Sequence, residues 1–100
     1  MGTILLSGSR KSELRGAGQR LEATIKIGRE GLAQAGVAEL RRQLASRELV
    51  KVRFVGSDRD ERAVLCQRVA EETGSAMVGA VGHTALFYAP REAAGAAPGT

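Results

Sequence analysis

The sequence predicts an α/β domain with element order α-β-α-β-α-β-β and a four-stranded mixed sheet. Three observations lead there. Apolar residues recur at helical spacing in three segments and alternate at strand spacing in others. Gly, Ser and Asp punctuate the changes from one period to the next. At 100 residues and 43% apolar, the chain suits one modest core. Three aromatics and no Trp make that core aliphatic.

Ser7-Gly8-Ser9-Arg10 is a helix start, with Ser7 or Ser9 placed to cap free backbone N–H groups. Leu14, Ala17 and Leu21 then share one helical face, and Arg10, Lys11 and Arg15 fall largely off it. Thr24–Ile27 alternates as a short strand, with Lys26 opposed to Ile25 and Ile27. Gly28-Arg29-Glu30-Gly31 breaks it. Val37, Leu40 and Leu44 form the face of a second helix, with Arg41 and Arg42 beside them. Leu49–Val55 is the clearest strand: Val50, Val52 and Phe54 on one face, Lys51 and Arg53 on the other. Ser57-Asp58-Arg59-Asp60 offers a start of the capping-box type for a third helix. Asp58 and Asp60 are therefore read as capping groups, not as a catalytic pair. Arg62, Leu65, Cys66, Val69, Ala70 and Thr73 share one side of that helix, and Gly74 stops it. Ala76–Val81 and Thr84–Tyr88 are strands around a tight Gly82-His83 turn. The alternation favours parallel β-α-β units, and the final hairpin adds an antiparallel pair. Residues 91–100 are expected to be a disordered Ala/Gly/Pro tail.

Charge narrows the function classes. Twelve Arg and three Lys against eleven acids give +4, with a pI near 10. Residues 1–55 carry eleven basic and five acidic side chains, whereas residues 56–100 carry four and six. Such a one-sided field steers a polyanion, and Arg favours bidentate phosphate contacts. No apolar run approaches the ~18–20 residues of a membrane-spanning helix. Ile4-Leu5-Leu6 is too short for a signal-peptide core. One Cys excludes an internal disulfide, and one Cys with one His makes no standard zinc site. The expectation is a cytoplasmic domain with neither metal nor cofactor and no membrane partner. No P-loop or other enzyme signature is present, since Gly31 is not followed by Lys and Ser or Thr.

Several short motifs carry a family resemblance. They are Leu6-Ser7-Gly8, Ile27-Gly28-Arg29-Glu30-Gly31-Leu32, Ala38-Glu39-Leu40, Glu48-Leu49-Val50-Lys51-Val52, Glu72-Thr73-Gly74 and Val81-Gly82-His83-Thr84, the last running into Leu86–Pro90. In that order and spacing the chain resembles YhbY-like proteins, which are stand-alone CRM domains (chloroplast RNA splicing and ribosome maturation), over about residues 5–90. The resemblance implies a two-layer α/β fold similar to the C-terminal domain of bacterial translation initiation factor 3, with strand order 1-2-4-3. It also implies RNA binding. Bacterial single-domain members associate with precursors of the large ribosomal subunit, and plant organellar members promote intron splicing.

The Gly28–Gly31 loop is the first candidate site. Glycines admit a close phosphodiester, and the following helix N-terminus presents free N–H groups. KH domains clamp a nucleic-acid backbone with a GxxG loop in this way. Two departures from the family pattern stand out. Glu30 sets a negative charge beside Arg29, and Ala33 and Gln34 stand where the family often caps the helix with Ser or Thr. The supporting basic set is Arg10, Lys11 and Arg15 on the first helix, Lys26, Lys51 and Arg53 on strands, and Arg41 and Arg42 on the second helix. If the helices cover one sheet face, alternation puts Lys26, Lys51 and Arg53 on the other. Whether Arg10 and Lys11 come near the loop is open at this level. Tyr88 is read as part of the sheet, so recognition of RNA shape and backbone is expected. Cys66 is read as core and His83 as an exposed turn residue able to touch phosphate. The leading expectation is a large-subunit assembly factor. The alternatives are an RNA chaperone or splicing-type factor, and a protein-interaction module using the acidic third helix.

Overall fold

The computed structural model describes residues 6–31 and 33–90. The expected tail at 91–100 lies outside them, as do position 5 and Leu32 of the loop motif. The elements are α1 (Gly8–Gly18), β1 (Ile25–Ile27), α2 (Gln34–Arg47), β2 (Leu49–Phe54), α3 (Arg59–Thr73), β3 (Ala76–Val81) and β4 (Thr84–Tyr88). The sheet order is β1-β2-β4-β3. β1 runs parallel to β2, and β4 is antiparallel to both β2 and β3. The mixed sheet and the central place of the two most apolar strands are as the sequence predicts.

Local chemistry sets the boundaries. Ser7 caps α1, its Oγ accepting the Arg10 N–H at 3.1 Å. The face predicted as Leu14, Ala17 and Leu21 is realised differently. Leu14 and Gly18 are the buried positions and Ala17 is exposed, while Leu21, past the helix end, packs half-buried against the Leu14 cluster. The reason is close approach, because a Cβ on Gly18 would overlap the Leu86 side chain. The capping box of α3 sits one residue later than the Ser57–Asp60 frame. Asp58 Oδ1 accepts the Glu61 N–H, and Glu61 Oε1 accepts the Asp58 N–H, both at 2.8 Å. Glutamate has the extra methylene needed to reach back to the cap amide. Gly74 ends α3 in the left-handed conformation, as expected.

Two apolar clusters hold the layers together. On one face of the sheet, Ile25, Ile27, Val50, Val52, Phe54 and Phe87 pack against Leu40 and Leu44 of α2 and Leu65, Cys66 and Val69 of α3. On the other, Leu49, Val78, Leu86 and Tyr88 pack against Leu14 of α1. The premise that all helices share one face therefore holds for α2 and α3 alone. Because α1 covers only part of the opposite face, Lys26 and Arg53 remain exposed there and Lys51 half-buried.

Truncating the centre of this arrangement has a large expected cost. Phe87, fully buried on β4, should lose about 3–5 kcal/mol on Phe87→Ala, a large share of the ~5–15 kcal/mol typical of a domain. Asp58→Ala removes only the cap and should cost about 1 kcal/mol. Urea denaturation of both variants checks the ratio. Similar losses would contradict the assignment of Phe87 to the core.

Candidate nucleic-acid interface

Topology gathers three loops at one edge of the sheet. β1 and β2 are parallel and end together, and antiparallel β4 begins where β2 ends. The loops at 28–31, 55–58 and 82–83 therefore adjoin. The Val55 N–H donates to the Ile27 carbonyl at 2.8 Å, and the Phe54 N–H to the His83 carbonyl at 2.7 Å. In α/β sheets the carboxyl ends of parallel strands are the usual place for ligands.

The Gly28–Gly31 loop is a tight turn closed by the Gly31 N–H on the Gly28 carbonyl at 3.1 Å. Gly31 has φ +101°, a conformation that side-chain-bearing residues rarely adopt. The α2 helix that follows starts from Ala33, with no side-chain hydrogen bond to its first amides, as its sequence implies. Arg29 is exposed but not independent. Its Nη2 donates to Glu61 Oε2 at 3.3 Å, and Glu30 follows it in the chain. Glu61, in the first turn of α3, thus reaches across and partly neutralises the loop cation, a second negative influence beyond Glu30.

The sheet face presented beside this loop is more strongly cationic. Lys26 and Arg53 stand directly opposite each other on β1 and β2, and Lys51 is two residues from Arg53 on the same face. Sheet geometry puts such neighbours within ~5–7 Å. Among the described residues, none of the three makes an ion pair or a side-chain hydrogen bond. Next to them, a groove of about 290 Å³ opens between the last turn of α1 and strands β2, β4 and β3.

Comparison with known proteins supplies the family. A model of the CRS1/YhbY (CRM) domain matches residues 6–89. The chain belongs to the CRS1/YhbY (CRM) domain family. It is 33% identical over 89 residues to a Haemophilus influenzae protein named as an RNA-binding protein, covering 89% of this chain and 90% of that one. A Pseudomonas aeruginosa protein, named a probable RNA-binding protein, is 30% identical over 85 residues, covering 85% and 82% of the two chains. The solution structure of a Staphylococcus aureus protein, described as a candidate for RNA binding, superposes with a TM-score of 0.75 at 26% identity. That match covers 84% of this chain and 88% of the other.

Not all predicted basic residues of this CRM domain converge. Arg10 lies at the opposite end of the sheet from the loop. It stacks over the Tyr88 ring at 5.4 Å and pairs with Glu13 at 3.0 Å, and hydrogen bonds to Tyr88 and Glu13 raise its pKa further. Lys11, on the same first turns of α1, is exposed there too. Arg41 and Arg42 lie on α2, across the sheet from Lys26, Lys51 and Arg53. Arg41 donates to the Glu72 carbonyl near the end of α3 at 2.8 Å. Arg42 pairs with Glu39 at 2.6 Å. Only Arg15 joins the strand cations: it lies along Gly79 and donates to the Val78 carbonyl at 3.2 Å.

Two further side chains have definite roles. Arg62 Nη1 donates both to the Ser57 carbonyl at 3.0 Å and to His83 Nδ1 at 3.1 Å. A guanidinium cannot accept, so the imidazole Nδ1 is the acceptor in this contact. This link ties the hairpin turn to α3. The sequence placed Arg62 on the packed side of α3 but carried no signal that joins it to His83, 21 residues away. Cys66 is core, as predicted, and burial pushes its thiol pKa up, against formation of a nucleophilic thiolate. Ser57 Oγ is buried without a hydrogen-bond partner among the described residues.

The Glu39–Arg42 pair has a testable signature. Hydrogen bonds from Arg42 and then Gln43 hold the Glu39 carboxyl down from 4.5 to about 2. A lowered folded pKa contributes stability above pH 4.5 that is lost as pH falls through about 2. Carboxyl NMR should therefore show Glu39 titrating well below the other glutamates, and Arg42→Ala should return it toward the ordinary range. A Glu39 that titrates normally in the unaltered protein would dissolve the pair and free Arg42 for other partners.

Proposed function

We propose that this CRM domain binds RNA through the cationic sheet face formed by Lys26, Lys51 and Arg53, with Arg15 at one side and the Gly28–Gly31 loop at its edge. One observation carries the reading. Like charges opposite each other on neighbouring strands repel, and Lys26 and Arg53 occupy such positions with no carboxylate partner among the described residues. A polyanion removes that repulsion on binding, and released counterions add to the affinity. The names of the relatives agree with RNA as the partner. In this reading Arg29 contributes less than the strand cations, because Glu61 already shares its charge. Arg41 and Arg42 serve the α2–α3 layer and lie outside the contact.

The RNA is proposed to be ribosomal RNA of a large-subunit precursor, bound in the cytoplasm during assembly. Recognition is chiefly of backbone and shape, and no catalytic step is involved. An RNA chaperone or a splicing-type factor would use the same surface on a different RNA.

Arg53→Thr separates folding from binding. It should raise stability at low salt slightly, through lost repulsion between exposed like charges. The same change should weaken RNA binding and flatten the slope of log K against log salt by ~0.7–0.9. Arg42→Ala should leave the salt slope unchanged. Weakened binding in Arg42→Ala with none in Arg53→Thr would move the site to the α2 side.

The choice of RNA is tested by sucrose-gradient sedimentation of the tagged protein in lysate of its own cells. Salt-sensitive co-migration with free large subunits or their precursors is expected. A protein that stays at the top at low and high salt, yet copurifies with other RNAs, would replace the assembly role with the chaperone or splicing type.

A further inference from the structure

The groove between α1 and the sheet has a chemistry that backbone contact does not need. Its floor is apolar, built on Leu86 of β4, and Gly79 leaves the β3 wall without a side chain. The stem of Arg15 occupies the space that a residue-79 side chain would take: a Cβ there would come within 2.8 Å of Arg15 Cγ and Cδ. The sheet register shifts between Met77 and Gly79 at this point. Val81, on the outer rim, is 79% exposed although apolar, the most exposed large hydrophobic residue described. Arg15 and Lys51 line the groove, and among the described residues no carboxylate does.

We infer that this groove receives one unpaired RNA base, inserted against Leu86 and Val81 while Arg15 and Lys51 hold the flanking phosphates. The inference rests on the RNA-binding reading and adds to it a preference for single-stranded or looped nucleotides. The volume of about 290 Å³ falls just below the ~300–1,000 Å³ of small-molecule sites, which suits a single base. An Arg guanidinium plane is a surface on which splayed bases stack, and Leu86 and Val81 supply apolar contact where such sites commonly use an aromatic ring. Gln19 stands at the same rim with an amide that both donates and accepts, so the base edge meets a polar group able to serve either role. Charge complementarity selects this occupant: the rim cations match phosphates on either side of an apolar slot. Lys26 and Arg53 continue the cationic surface from Lys51 toward the Gly28–Gly31 loop.

The test compares three RNAs of stated structure on the full chain. They are hexaadenylate, the same hexamer with its two central bases removed, and a short RNA duplex. Hexaadenylate should bind about fourfold or more tightly than the abasic hexamer of equal charge, the scale of burying a small apolar area on an aliphatic floor. Amide NMR shifts should appear at Gly79, Val81, Thr84 and Leu86 with hexaadenylate and be lost with the abasic hexamer. Val81→Ser, at an exposed position, should shrink the hexaadenylate-to-abasic ratio toward one without weakening the duplex complex. Gly79→Ala, which displaces Arg15, should do the same. Equal affinity for the two hexamers, or a base preference with shifts confined to Lys26, Arg53 and the Gly28–Gly31 loop, would overturn the base slot and leave RNA binding intact. Binding of none of the three RNAs at low salt would overturn both.

Discussion

β2 and β4 lie side by side from the Leu49–Tyr88 pair at one end to the Arg53–Thr84 pair at the other, and most of their side chains are buried on both faces. On one side Val50, Val52 and Phe87 meet α2 and α3, and on the other Leu49, Leu86 and Tyr88 meet α1. An antiparallel pair apolar on both faces cannot stay exposed, so helices must close both sides. β1 and β3 follow as edges, each with one neighbour. The same pairing brings the loops after β1 and β2 and the β3–β4 turn to one edge. Fold and candidate site thus depend on one interaction, the register of two central strands.

Electrostatics then divide the surface. On the α2–α3 side three cations are engaged internally, Arg42 by Glu39, Arg29 by Glu61 and Arg41 by the Glu72 carbonyl, while Arg47, Arg59 and Arg68 stand apart along the helices without an ion pair among the described residues. Exposed pairs of this kind contribute little to stability, but they use up the charge. On the α1 side the strand cations have no such partners, because β alternation forces Lys26, Lys51 and Arg53 onto one face and α1 covers only part of it. A pI near 10 says that positive charge is in excess; strand register says where three unpaired cations stand together. The proposed RNA contact lies where folding leaves repulsion unrelieved.

Much of the architecture is legible in the residues. The strand at Leu49–Phe54 follows from alternation, the hairpin from Gly82-His83, and the cap of α1 from Ser7. All are contacts within a few residues, for which periodicity and capping chemistry suffice. The misplacements share a cause. Spacing puts Ala17 and Leu21 on α1's buried face; Leu21 does pack half-buried against the Leu14 cluster from beyond the helix end, but Ala17 is exposed and Gly18 is buried where Leu86, far along the chain, comes too close for a side chain. The α3 cap moved by one residue because Glu61, not Asp60, is long enough to close the box. The candidate site was legible as a list but not as a place. Arg10 and Lys11 sit at the far end of the sheet, and Arg41 and Arg42 lie behind it.

By itself the sequence determined the order and type of the elements, an aliphatic core, the cationic excess and the glycines of the Gly28–Gly31 turn. These depend on backbone preference and short-range periodicity, which each segment carries alone. Only the tertiary structure decided that α1 crosses to the second face, that Lys26 stands opposite Arg53, that Glu61 reaches Arg29 and that a groove opens beside Arg15. Each of these joins side chains distant in the chain, and their meeting is set by strand register and by how closely a helix can approach the sheet. Charge and composition supplied the capacity to bind a polyanion, and packing chose the face that presents it.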